Sequence, residues 1–115
     1  MNINELCKVS HDIAKEKGFW DVKPRNTSEL LMLIVSELGE ACEALRKKNR
    51  QVYFKEIGNR EILSKWEKDT FEDEIADTFI RLGDLCQAMG IDIEWQIKKK
   101  LEYNKTRPYK HGKEF

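Results

Sequence analysis

Four carboxylates have the types and spacing for chemistry: Glu37 with Glu40, and Glu74 with Asp77. Each pair is three residues apart, which puts both acids on one side of a helix. Grouped carboxylate oxygens suit a hard cation such as Mg²⁺, which takes oxygen ligands and shares phosphate oxygens. Spacing alone says little, because 21 acids in 115 residues produce roughly four acid-x-x-acid pairs by chance. Position on the helix says more. At about 100° per residue, with Leu30 at zero, Leu31, Ile34, Leu38, Ala41, Cys42 and Leu45 form an apolar stripe over roughly 20–120°. Glu37 falls at about 340° and Glu40 at about 280°, so Glu37 intrudes on the apolar side while Glu43 stays on the wet face. In the second segment Phe71, Ile75, Phe79, Leu82, Cys86 and Met89 form the expected core stripe, with Glu74 and Asp77 along one flank. A carboxylate at a core boundary must be paired, protonated or on a metal. Arg81 can pair with Asp77 at i,i+4 but cannot satisfy all four acids. The competing reading is a set of boundary acids in surface ion pairs.

Lys100 and Asn104, four apart, fall on the same side as Ile93 and Ile97. A lysine there either snorkels to water or faces phosphate, with Asn104 hydrogen-bonding a sugar or base. The stretch 46–70 holds eight Lys/Arg against four Asp/Glu, together with Tyr53, Phe54 and Trp66. Those aromatics, or Trp20, could stack a planar ring. His11 and His111 read as a boundary residue and a tail residue. Cys7, Cys42 and Cys86 lack metal-ligand spacing and read as reduced core residues.

Positioning the acids requires helices. The periodicity predicts one over about Ile3 to Lys17, ended by Gly18, then a connector through Trp20 and Pro24. A second runs from a cap among Asn26, Thr27 and Ser28 to about Lys48. A short helix over Arg60 to Lys68 follows a turn at Gly58–Asn59. The third spans Phe71 to Met89 and stops at Gly90, and the fourth runs from the Asp92 cap to about Asn104. A strand near Gln51 to Phe54 is not excluded, although one strand alone has nothing to pair with. The fold class is therefore all-α, four to five helices, in one domain over 1–115. The start, Met1 to Glu5, is polar, and no apolar run approaches a membrane span. The expectation is a cytoplasmic protein with no membrane partner. Formal net charge is zero, so bulk electrostatics predicts no nucleic-acid partner either.

In order and context these residues resemble the MazG-like nucleotide pyrophosphohydrolases of the all-α NTP pyrophosphatase superfamily. The resemblance runs from about Phe19 to Lys113. It rests on Pro24-Arg25-Asn26, Ser-Glu-Leu-Gly-Glu at 36–40, Glu-Ile-Ala-Asp at 74–77 and Gly90-Ile91-Asp92. It continues through Lys100-Leu-Glu-Tyr-Asn104 and Arg107-Pro-Tyr-Lys-His-Gly112. It implies a helical bundle assembled as a homodimer or homotetramer. It also implies hydrolysis of an NTP or dNTP to monophosphate and pyrophosphate with Mg²⁺, or Mn²⁺ in its place, in a nucleotide-pool-cleaning role. Carried over, Glu37, Glu40, Glu74 and Asp77 hold the metal, and Glu37 or Glu40 orients the attacking water. Lys100, Asn104, Arg107 and Trp20 contact the nucleotide. Two departures stand out. Relatives often open the first motif with two adjacent acids, where this chain has Ser36, and the gap from Glu40 to Glu74 is longer than usual. Ile80, beside Ala76 and Gly83 on the back of the third helix, suggests a contact between subunits. The rival readings are a non-catalytic helical interaction module and a nucleic-acid binder using segment 46–70 and the tail.

Overall fold

The computed structural model describes residues 1–22, 24–63 and 65–112. Four α-helices dominate those residues: α1 (Ile3–Glu16), α2 (Thr27–Arg46), α3 (Phe71–Ala88) and α4 (Ile93–Thr106). Each starts at a side-chain cap that the sequence provides. The side chains of Asn2, Asn26, Thr70 and Asp92 accept from Glu5 N, Glu29 N, Asp73 N and Trp95 N, satisfying donors the first turn leaves free. After α3 the chain turns at Gly90, φ +68°, while Ile91 N donates to Cys86 O at 2.9 Å. That left-handed stop is cheap for glycine alone.

Among the described residues, the expected short helix over Arg60 to Lys68 does not form. Arg60–Leu63 is instead β2, paired antiparallel with β1 (Phe54–Ile57) in the register Phe54↔Leu63 to Ile57↔Arg60. Gly58 and Asn59 form the two-residue connection, with Gly58 at φ +64°. Two short runs around a Gly-Asn pair are a hairpin signal, so the strand near Phe54 does have a partner. The base of the hairpin is tied to the start of α3. Gln51 Nε2 donates to Lys65 O at 2.9 Å and Gln51 Oε1 accepts from Glu67 N at 2.9 Å. Asn49 O accepts from Phe71 N at 2.9 Å.

α3 is the central helix. α1 packs on one side of it, α2 runs antiparallel on the other, and α4 leans mainly on α1. On α3, Gly83 seats α1: a β-carbon there would stand 3.4 Å from Cys7 Cα. The small-residue back of α3 therefore meets the chain's own α1 at Gly83, while Ile80 remains half-exposed. The buried seam between α2 and α3 is narrow: Ile34, Ala41, Ala44 and Leu85, together with the polar Glu37, Thr70, Glu74 and Thr78. Much of the stripe expected to form the core is exposed instead, including Leu31, Leu38, Leu45, Phe79, Leu82 and Met89. Of the cysteines, Cys7 is buried, Cys86 half-buried and Cys42 exposed, so Cys42 is not a core residue. The result is a slab of 52 × 46 × 28 Å with a radius of gyration of 18.1 Å, against about 13 Å for a compact domain of this length. No helix among the described residues is long and apolar enough to cross a membrane.

Candidate metal centre

Glu37 on α2 and Glu74 and Asp77 on α3 each offer a carboxylate oxygen, and the three oxygens lie within 4.8 Å of one another. Antiparallel packing explains the meeting: Glu37 sits mid-α2 among Ile34 and Ala41, and small residues at 41 and 44 let α3 approach closely. Glu74, one turn into α3, is only 5% exposed, and its Oε2 has no hydrogen-bond partner. Burial is the main cause that raises Glu74 to about 7; next come Glu40, at hydrogen-bonding range, and then Glu37 and Asp77. Asp77 is pushed up as well, first by burial and then by the charges of Asp73 and Glu37, with Arg81 opposing. Glu40 completes the set from the exposed edge of α2. Three of the four predicted acids therefore meet within 4.8 Å, and Glu40 lies near Glu74 outside that group.

Arg81 does not take the partner expected for it. Its Nε donates to Glu37 Oε1 at 2.7 Å, across the helices, rather than pairing with Asp77 one turn away. The buried Glu37 is thus neutralised on one side while Glu74 is left without a cation. A buried carboxylate with an unpartnered oxygen needs a proton or a cation. Cis and trans oxygens around octahedral Mg²⁺ are separated by roughly 3 and 4 Å, given bonds of about 2.1 Å. The three carboxylate oxygens, within 4.8 Å of one another, are close enough to share one cation. The donor set is oxygen alone, which favours Mg²⁺ or Mn²⁺ over zinc.

Along the same face of α3, Asp84 lies two turns beyond Asp77, about 10 Å at 1.5 Å per residue. Asp84 Oδ1 meets His11 Nδ1 at 2.7 Å and accepts from Trp20 Nε1 at 2.9 Å. His11 and Trp20 stand edge to face with centroids 5.2 Å apart, and the Arg25 guanidinium lies 5.4 Å from the Trp20 ring centroid. These groups line a cleft of about 550 Å³ with Lys15, Pro24 and Ala88. A separate small void is bordered by Trp20, Leu30, Ile34, Arg81, Asp84 and Leu85.

Against known proteins, the chain matches no family model, no curated protein and no solved structure. The site is therefore read from its own geometry.

Trp20 lines the cleft of about 550 Å³, whose lining residues do not include Glu37, Glu40, Glu74 or Asp77. His11, read from the sequence as a boundary residue and indeed half-buried, and Asp84, which the sequence reading did not single out, hold it there. The available signal was Asp84 at seven residues from Asp77, on the same flank of one helix. Lys100 and Asn104 are not brought to the acids within one chain. Among its described residues α4 buries none, and Lys100 is exposed with its Nζ 5.0 Å from the Tyr103 ring centroid. Arg107 lies 5.7 Å from that same ring centroid. A second cleft, of about 320 Å³, lies under the hairpin between Tyr53, Trp66, Asp73 and Ala76. Trp66 Nε1 donates to Asp73 Oδ1 at 3.2 Å there, while Tyr53 and Phe54 are largely in water. The last tail residues, 113–115, lie outside the described residues.

Proposed function

We propose that this chain is a MazG-like nucleoside triphosphate pyrophosphohydrolase, cytoplasmic and oligomeric, that releases monophosphate and pyrophosphate. One observation carries the reading: a buried Glu74 with an unpartnered oxygen, facing Glu37 and Asp77 within metal-ligand reach. A surface ion-pair cluster gives no reason to bury an acid without a cation. Mg²⁺ held by Glu37, Glu40, Glu74 and Asp77 would offset the triphosphate's charge and polarise its phosphoryl oxygens.

The chain's own residues do the rest. Arg81 fixes the Glu37 carboxylate, so one of its oxygens keeps a set direction. Glu40, at the exposed edge, can accept a proton from the attacking water, the task left open by Ser36. Ser36 itself donates to Leu33 O at 2.6 Å and is turned to its own helix. The roughly 10 Å from Asp77 to Asp84 suits a nucleotide with phosphates at the acids and its base against Trp20. His11 and Asp84 hold that ring in place, and Lys15 and Arg25 add positive charge at the cleft mouth. Lys100, Asn104 and Arg107 would act on the substrate only if assembly brings them to it.

A panel of NTPs and dNTPs with Mg²⁺, scored for monophosphate and pyrophosphate, tests the reading. The expected result is turnover that a Glu40→Gln substitution removes. Turnover of none of them would return the chain to the non-catalytic interaction module, which the exposed apolar side chains favour. In ¹⁸O-water the label should enter the monophosphate, and label in pyrophosphate alone would rule out attack at the α-phosphorus.

A further inference from the structure

Two tryptophans are moored to α3 in the same way. Trp20 Nε1 donates to Asp84 Oδ1 at 2.9 Å, and Trp66 Nε1 donates to Asp73 Oδ1 at 3.2 Å. The indoles come from different connectors, one before α2 and one after β2. Asp73 and Asp84 are eleven residues apart, which is three turns, roughly 16 Å along the axis and about 20° around it. Asp77 falls between them on the same flank, one turn from Asp73. The charge of Asp73 acts on Asp77, so the cleft at Trp66 adjoins the acid centre. Along α3 the acids therefore lie between one tryptophan and the other.

A nucleoside triphosphate ends at its γ-phosphate, so the Trp20 cleft and the acids account for all of it. The cleft at Trp66 has its own chemistry. Its volume is about 320 Å³, enough for a ring and part of a sugar. Its walls come from residues flanking the strands of the hairpin and from α3. Trp66 and Tyr53, 70% and 61% exposed, offer free aromatic faces, on which any base can stack. Glu72 and Asp73 line the same cleft. Carboxylates repel a bare phosphate but accept from sugar hydroxyls and from amino groups of a base. The cleft thus suits the nucleoside end of a nucleotide and rejects its phosphate end.

We propose that the substrate carries a second nucleoside beyond its phosphates, that is, a dinucleoside polyphosphate. One base lies against Trp20, the phosphates lie at the acids, and the other base lies against Trp66 and Tyr53. This rests on the hydrolase reading and deepens it. Water adds to the α-phosphorus of the nucleoside at Trp20 and gives a proton to Glu40. The bond from that phosphorus to its bridging oxygen breaks, and the remaining nucleoside polyphosphate leaves with the oxygen and the electron pair. Di(adenosine) tetraphosphate and water then give AMP and ATP. The second nucleoside acts as a tethered second contact, so it lowers KM more than it raises kcat.

For each of the four ribonucleosides, kcat/KM with Mg²⁺ is measured for the dinucleoside tetraphosphate and for the triphosphate. For the base turned over best, the dinucleotide should lead by about tenfold or more, chiefly in KM. Monophosphate and triphosphate should form in equal amounts at early times. Trp66→Ala should bring the ratio down to about one, while Trp66→Phe, which keeps a stacking face, should retain most of it. Trp66 is largely in water, so the variant should fold; Tyr53→Ala reads the same ratio from the other wall if it does not. A wild-type ratio of one or less, a ratio that the alanine variant leaves unchanged, or diphosphate as the early product overturns the proposal. With triphosphates still cleaved, those outcomes leave the hydrolase reading standing, whereas cleavage of neither class overturns both.

Discussion

The two sides of α2 invert the usual arrangement. Toward α3 it buries Glu37 among small residues and a buried Glu74, while away from it Leu31, Val35 and Leu38 stand in water. A chain folding for its own stability would do the opposite, since each leucine buried contributes roughly 1.5–3 kcal/mol and each unpaired acid costs. The comparison separates two requirements. The inner seam holds carboxylates where a cation can meet them. The outer seam supplies the apolar burial that the lone slab lacks, once something covers it.

The largest expected effect comes from neutralising the inner seam. Glu74→Gln should lower Mg²⁺-dependent turnover by roughly 10³-fold, the few kcal/mol a metal-held charge gives a transition state. The same change should raise the metal-free melting temperature by roughly 5 °C, read by calorimetry in EDTA. Loss of turnover together with a lower melting point would mean that Glu74 is structural.

Titration gives the next effect. The Glu74 carboxyl sits at about 7 when folded, against an ordinary 4.5. The folded chain therefore binds this proton more tightly than the unfolded one. Metal-free stability should be full below about pH 4.5 and decline as pH rises through 7. Saturating Mg²⁺ should reverse the trend above pH 7, because binding to the folded state adds stability. A flat metal-free profile over that window would contradict the burial assigned to Glu74.

Smaller effects follow at the edges. Trp20→Ala should raise KM about tenfold with kcat little changed, if the base rests against the ring. Arg81→Ala should cost about 1 kcal/mol in metal-free urea melts, because the ion pair is half-exposed. Replacing 54–63 with a short flexible linker should leave helical content unchanged and turnover within about twofold, since the hairpin pairs chiefly with itself.

Much of the fold was legible in the sequence because local chemistry decides it. Caps at Asn26 and Asp92 and a stop at Gly90 act within a few residues, and Glu37, Glu74 and Asp77 lie where helical spacing put them. The hairpin was misread because Arg60 to Lys68 is short enough to fit either period, and only the Gly58–Asn59 pair argued for a turn between strands. The choice of Arg81 between Asp77 and Glu37 depends on how closely α2 approaches α3, which no periodicity reveals. The apolar stripes were found, but not which of them the chain covers itself: a hydrophobic stripe looks the same whether its partner is in the chain or outside it. The boundary position of His11 was legible, but not its pairing with Asp84, which is 73 residues away.

Gly83 has a consequence beyond seating α1. Cys7, whose backbone it touches, stands one turn before His11, and Asp84 follows Gly83 directly. The absent side chain works as a spacer that sets how far His11 stands from Asp84. Alanine just fits that gap, whereas valine would lift α1 and widen the cleft around Trp20 without altering any residue that lines it. If the cleft takes a nucleotide base as proposed, its preference would then change at a position that does not line the cleft.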